Sequence, residues 1–222
     1  MKFADILASL IHDMKNSLGM VINTLEELSG DTLAGLPAQH KVTVLQQEAK
    51  RLSNNLIELL TLYKIENERI SANIEEWNLS DFLEEIVAEN QVSAAAREVR
   101  LESECDADLS GYFDEGLLRG VINSLIGNGL RYTQTRLLLT AGQEDGYLVF
   151  KVADDGAGFP EEMLRAQQAR ANGESLAEGR TQLGIYFAEM VATLHRSRDK
   201  RGFIRIANGC LLAGGCFSIW LP

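Results

Sequence analysis

Two groups of residues in this chain could do chemistry. The first is Leu10-Ile11-His12-Asp13-Met14-Lys15-Asn16-Ser17-Leu18. An imidazole titrates nearest neutral pH, and its ring nitrogen can attack or carry a group when a carboxylate fixes its tautomer and draws off its proton. Asp13 can be that carboxylate, and Asn16, at i+4, shares the face of His12 if the segment is helical. The second group is spread along the C-terminal half. Val152-Ala153-Asp154-Asp155-Gly156-Ala157-Gly158-Phe159-Pro160 ends a strand with an acid and two glycines, so backbone can come close to a ligand while Asp154 accepts from an exocyclic amine. Upstream, Asn128 stands between Gly127 and Gly129 and is followed by Arg131 and Tyr132. An amide oxygen and a guanidinium suit a magnesium-bound polyphosphate. Thr181-Gln182-Leu183-Gly184-Ile185 puts glycine at the start of a helix, where free N–H groups favour anions. Singly, each signal is weak: an ordinary turn uses the same residues as Asp154 to Gly158, and a lone surface histidine is usually inert.

These residues need elements to hold them. Apolar residues at Leu7, Ile11, Met14, Leu18, Val21, Leu25 and Leu28 alternate steps of four and three, the period of a packed helix. A loop through Gly35-Leu36-Pro37 leads to a second stripe at Val42, Leu45, Ala49, Leu52, Leu56, Leu59 and Tyr63. This αα-hairpin cannot cover both stripes alone, so a homodimer forming a four-helix bundle is expected. His12 lies off the stripe, on the line Ala8, His12, Lys15, Gly19, and should face solvent. The domain boundary falls at 73/74.

Beyond it, Ser80 or Asp81 can cap a helix to Glu89, and 99–105 alternates as a strand. Asp114 can cap a helix to about Leu130. Segments 136–141 and 147–153 read as strands joined at Asp145-Gly146, and 160–169 as a helix. A mobile loop follows at 171–180, then a helix at 184–195 and a closing hairpin of 203–208 with 216–221. The expected fold is thus a helical hairpin followed by an α+β sandwich, a mostly antiparallel sheet with helices on one face.

Composition limits the partners. A net charge of -11, from 32 acids against 21 Lys and Arg, opposes binding to nucleic acid or anionic membranes. No apolar run approaches the ~20 residues of a membrane helix, and no signal peptide opens the chain, so a cytoplasmic protein is expected. Cys105, Cys210 and Cys216 show no C-x-x-C spacing and are expected as separate small buried side chains, with no disulfide framework and no zinc site. His195, at a helix end, is expected as a C-terminal cap, and the basic run 195–201 as a solvated loop.

Taken together and in order, the motifs resemble the catalytic core of the sensor histidine kinases of two-component systems. His12 to Leu18 is similar to the family's phosphoacceptor box, Asn128 with Arg131 and Tyr132 to its Asn-box, Asp154 to Gly158 to its first Gly-box, and Leu183-Gly184-Ile185 to the end of its second. The resemblance implies a Bergerat or GHKL-type ATP-binding domain at 74–222 behind a dimerisation and phosphotransfer hairpin at 1–73. It implies ATP and Mg²⁺ as cofactors, with Asp154 reading the adenine amine and Gly156 and Gly158 turning beside it. Asn128 holds Mg²⁺, and Arg131, Tyr132, Thr181, Leu183 and Gly184 complete the nucleotide site. His12 takes the γ-phosphoryl with help from Asp13 and passes it to a response-regulator receiver domain; Asn16 implies phosphatase activity as well. Input is expected from a separate sensor protein or another upstream source, the alternative being that the chain is a fragment of a longer one.

The chain also departs from the pattern. Ser17 replaces the usual proline, Ser124 an asparagine and Gln182 a glycine, and no Phe-x-x-Phe pair lies between Gly158 and Gly184. These departures leave two other readings: a dimeric phosphotransfer relay with a degenerate ATP domain, and an anti-sigma-type serine kinase.

Overall fold

The computed structural model describes residues 14, 18–23, 25, 37–67, 69–171 and 183–222. Two compact units divide the chain, Met1–Arg69 and Ile70–Pro222. His12, Asp13 and Asn16 lie outside the described residues, as do Thr181, Gln182 and most of the expected loop at 171–180.

In the first unit, residues 14, 18–23 and 25 are helical, and α1 (Pro37–Glu66) runs for 30 residues. Leu62 and Ile65 are buried, whereas Leu56, Ile57, Leu60 and Tyr63 are exposed. Part of the expected apolar stripe is therefore open in a single chain. Among the described residues no helix is long and apolar enough to cross a membrane.

The second unit opens with β1 (Glu75–Asn78), α2 (Leu79–Ala95), β2 (Arg100–Glu104) and β3 (Ser110–Phe113). The cap of α2 is Asn78, whose side chain accepts from Asp81 N, rather than Ser80 or Asp81, and the helix continues past Glu89. Asp114 does cap the next helix, α3 (Glu115–Gly129), accepting from Leu117 N. Then come β4 (Arg136–Glu144), β5 (Tyr147–Asp154), α4 (Glu161–Ala171), α5 (Leu183–Leu194), the short β6 (Arg196–Ser197) and β7 (Lys200–Arg201), β8 (Phe203–Asn208) and β9 (Gly215–Leu221). The run expected as a solvated loop is thus partly a ribbon, with Arg196 paired to Arg201 and Ser197 to Lys200.

The main sheet has the order β2-β4-β5-β9-β8, and β1 pairs with β3 separately. Its pairs are antiparallel except β2 with β4. Asp145 and Gly146, both at positive φ, make the tight turn expected between β4 and β5. Residues two apart on a strand share a face. Phe150 packs edge-on against Phe82 of α2 and Phe113, placing Leu148, Phe150, Val152 and Asp154 toward the helices. On the opposite face Tyr147, Phe203 and Trp220 group together, with the Arg205 guanidinium over the Trp220 ring.

The expectation of three separate cysteines is corrected. Cys210 and Cys216 form a disulfide, with Cα atoms 6.1 Å apart. The β8–β9 register, with Asn208 opposite Gly215, folds the intervening loop back and brings the two together. Cys216 is buried, Cys210 exposed, and Cys105 is a free, half-buried thiol.

Candidate functional site

The helix that carries Asn128 is fixed at both ends. At its start Asp114 caps Leu117 N, and the apolar face of Leu117, Leu118, Val121, Ile122, Leu125 and Ile126 is buried. At its end Leu130 N donates to Ile126 O, Tyr132 N to Gly129 O, and the Thr133 hydroxyl also to Gly129 O. Gly129 lies close to the sheet, since a Cβ there would come within 3.0 Å of Leu137.

Asp154 ends β5 on the face shared with Val152, opposite Leu137 of β4. Its Oδ1 accepts from Gly156 N at 2.8 Å and from Gly215 N at 3.2 Å, and its backbone carbonyl accepts from Gly214 N at 2.9 Å. The turn leaves no room for side chains: a Cβ on Gly156 would lie 2.1 Å from Tyr132 O, and one on Gly214 2.3 Å from Asp154 Oδ1. Gly158 has φ +79, a conformation that suits glycine, and Asn208 accepts from Phe159 N and donates to Phe159 O.

Between α3 and the sheet lies a cavity of about 70 Å³. Leu125, Asn128, Gly129 and Tyr132 line it from α3 and its exit, and Leu137, Val152, Asp154 and Phe217 from the sheet. Phe159 and Ile185 complete the wall. Asn128, Tyr132 and Asp154 therefore meet in one space, and Gly156 and Gly158 form the turn between two of its lining residues. Gly184 sits beside Asn128: a Cβ there would lie 3.0 Å from Asn128 Nδ2 and 3.2 Å from the Ser124 hydroxyl. Leu183 is the first residue of α5. Arg131 follows Asn128 on the exposed side of the helix exit and is not part of the cavity wall.

Asp155, next to the cavity carboxylate, has a different task. Burial opposes its charge, but the Thr135 hydroxyl and the N–H groups of Thr135, Arg136 and Gln134 donate to it and hold its carboxyl at about 2. It thereby ties the chain leaving Tyr132 to the glycine turn. His195 is buried; Asp114 N donates to its Nε2 at 3.0 Å, which leaves Nδ1 to donate to Val191 O at 2.9 Å. Burial pushes its pKa below the ordinary value, against the opposing pull of Val191 O and Asp114. This is a neutral clamp between α3 and α5 rather than a cationic cap.

Sequence reading did not find Gly214, Gly215, Asn208 or the apolar walls. The period-two pattern of 148, 150 and 152 carries the signal for Val152. The contribution of Gly214 and Gly215 depends on β9 pairing with β5, which local sequence does not specify.

Residues 113–222 match the family described as histidine kinase-, DNA gyrase B-, and HSP90-like ATPase. The sensor protein kinase PilS of Pseudomonas aeruginosa is 25% identical over 96% of this chain and 39% of its own length. The solved structure of the Acinetobacter baumannii histidine kinase AdeS superposes with a TM-score of 0.66 at 18% identity, covering 95% of this chain and 96% of that one. Full-length ShkA in complex with AMPPNP gives 0.61 at 21% identity, covering 97% of this chain and 45% of its own. The chain spans about half, or less, of the length of the curated relatives it matches.

Proposed function

We propose, from the premise that this chain carries a histidine kinase-, DNA gyrase B- and HSP90-like ATPase domain within a sensor histidine kinase catalytic core, that it binds ATP in the cavity between α3 and the sheet and phosphorylates His12. The observation that carries this reading is the convergence of Asn128, Asp154 and the glycine turn on one apolar-walled space. Asp154 accepts the adenine amine, its carboxylate already oriented by Gly156 N and Gly215 N. Leu125, Val152, Ile185 and Phe217 offer apolar surface to the purine. Tyr132, Arg131, Thr181 and, at the start of α5, Leu183 and Gly184 serve the ribose and phosphate side.

Among the described residues no three His, Cys, Asp or Glu gather as a metal cluster. Asn128, on the cavity wall, would hold Mg²⁺, which would supply neutralisation of phosphate charge there. The remaining chemistry belongs to side chains of this chain. His12 attacks the γ-phosphoryl through a ring nitrogen, and Asp13 polarises the ring and draws off its proton. The bond from the γ-phosphorus to the bridging oxygen breaks, ADP leaves, and the phosphoryl passes to an aspartate of a response-regulator receiver domain. Asn16, four residues after His12, orients water for removal of the partner's phosphate. Residues 1–73 form the dimerisation and phosphotransfer hairpin and 74–222 the ATP domain.

Labelled ATP with Mg²⁺ should give an acid-labile, base-stable phosphoprotein that is lost in His12→Gln. Asp154→Asn should weaken ATP binding by about tenfold to a hundredfold, the worth of a charged hydrogen bond, while the protein stays folded. No label together with no nucleotide binding by calorimetry would point instead to a relay with a degenerate ATP domain, phosphorylated by another protein.

A further inference from the structure

We propose that the Cys210–Cys216 disulfide is a redox modification site, opened by a small thiol or dithiol and re-formed by a low-molecular-weight disulfide, whose state sets how firmly Asp154 is held. The proposal rests on the nucleotide reading above. Its basis is the loop that the disulfide spans. Asn208, the last residue of β8 and two residues before Cys210, holds Phe159 through two hydrogen bonds of 2.7 and 3.0 Å. Gly214 and Gly215, at its end, donate to the Asp154 carbonyl at 2.9 Å and to its Oδ1 at 3.2 Å. Gly209 N donates to Gly214 O and draws the two ends together. The turn from Asp154 to Phe159 is thus gripped at both ends by one short loop, and the disulfide is the covalent bond across that loop.

The two sulfurs differ in access. Cys210 is exposed and Cys216 buried, so a reagent meets Cys210 first. Attack by a thiolate on Cys210 Sγ forms a mixed disulfide and breaks the Cys210–Cys216 bond; Cys216 leaves as a thiolate and takes a proton from water. A second thiolate attacks the reagent's sulfur, releases Cys210 as a thiolate that is likewise protonated, and leaves the reagent oxidised to its own disulfide. Re-formation is the reverse exchange, with the low-molecular-weight disulfide as oxidant. Opening removes the cross-link that restricts the loop, leaving main-chain and Asn208 bonds to keep Gly214 and Gly215 in place. In reducing compartments, disulfides of this kind are typically redox-responsive rather than permanent.

The test uses the full chain, oxidised with glutathione disulfide or reduced with dithiothreitol. Alkylation under denaturing conditions should modify Cys105 alone in the first form and all three cysteines in the second. By calorimetry the reduced form should bind ATP about tenfold more weakly, the size of one lost charged hydrogen bond. The double variant Cys210→Ser/Cys216→Ser should match it and ignore dithiothreitol. Amide exchange at Phe159, Gly214 and Gly215 should quicken on reduction. Three alkylated cysteines in the glutathione-disulfide-treated form overturn the proposal. Equal ATP affinity in both forms, with binding still weakened by Asp154→Asn, also overturns it and leaves the nucleotide site standing. If neither form binds ATP, the nucleotide reading fails, and amide exchange decides alone: quickening keeps the coupling between disulfide and turn, and no change sinks it.

Discussion

Asp154 and Asp155 are neighbours with separate duties, and hydrogen bonding divides them. Asp154 faces the cavity, whereas Asp155 is taken up by donors from the chain that follows Tyr132. The folded pKa of Asp155, about 2, lies below the ordinary carboxylate value, so the unfolded chain binds its proton first as pH falls. The stability it contributes is present above pH ~4 and is lost as pH falls toward ~2. Asp155→Asn should therefore be less stable than the parent protein in urea at pH 7, with the gap closing between pH ~4 and ~2. A gap independent of pH would show that the charge does not matter. At this scale the candidate site was partly legible: Asp154, Gly156 and Asn128 stand in short patterns, each tied to a local turn or helix end. Gly215 was not, because its role is a bond to Oδ1 of a residue far away in the chain.

Among the elements, α3 and α5 are joined through His195, buried with both ring nitrogens occupied. Protonating Nε2 would end its acceptance from Asp114 N. The folded protein resists that proton and the unfolded chain does not, so stability is full above pH ~6.5 and declines as pH falls toward the lowered folded value. His195→Leu should cost about 1–3 kcal/mol at pH 7.5 by leaving Asp114 N without an acceptor, and should flatten the loss of stability as pH falls below ~6.5. Urea titrations across that range measure both; a slope that persists in the variant belongs to other groups. Elements with strong local signals were legible: Asp114 as a cap, Asp145-Gly146 as a hairpin, the long period of α1. Four-residue β1 and β3 were not, being short strands whose only ladder is with each other across an intervening helix and strand. Nor was the disulfide, because the loop back from β8 to β9 makes it, rather than any cysteine spacing.

For the whole molecule, the exposed Leu56, Ile57, Leu60 and Tyr63 on α1 are the strongest argument for a second copy of the chain. Sedimentation should show a dimer of the full chain, and Leu60→Glu should shift it toward monomer about tenfold or more, since a charge would stand where the dimer covers apolar surface. A monomeric parent protein would remove the four-helix bundle from the proposal. Within the second unit, Asp114 has a position of another kind. Its Oδ2 accepts from Asn73 N at 2.7 Å, while its Oδ1 accepts from Leu117 N in the first turn of α3. The chain entering this unit is thus fastened to one end of a rod of 15 residues, roughly 22 Å long, whose far end bears Asn128. The same carboxylate thus caps α3 and anchors the backbone at residue 73.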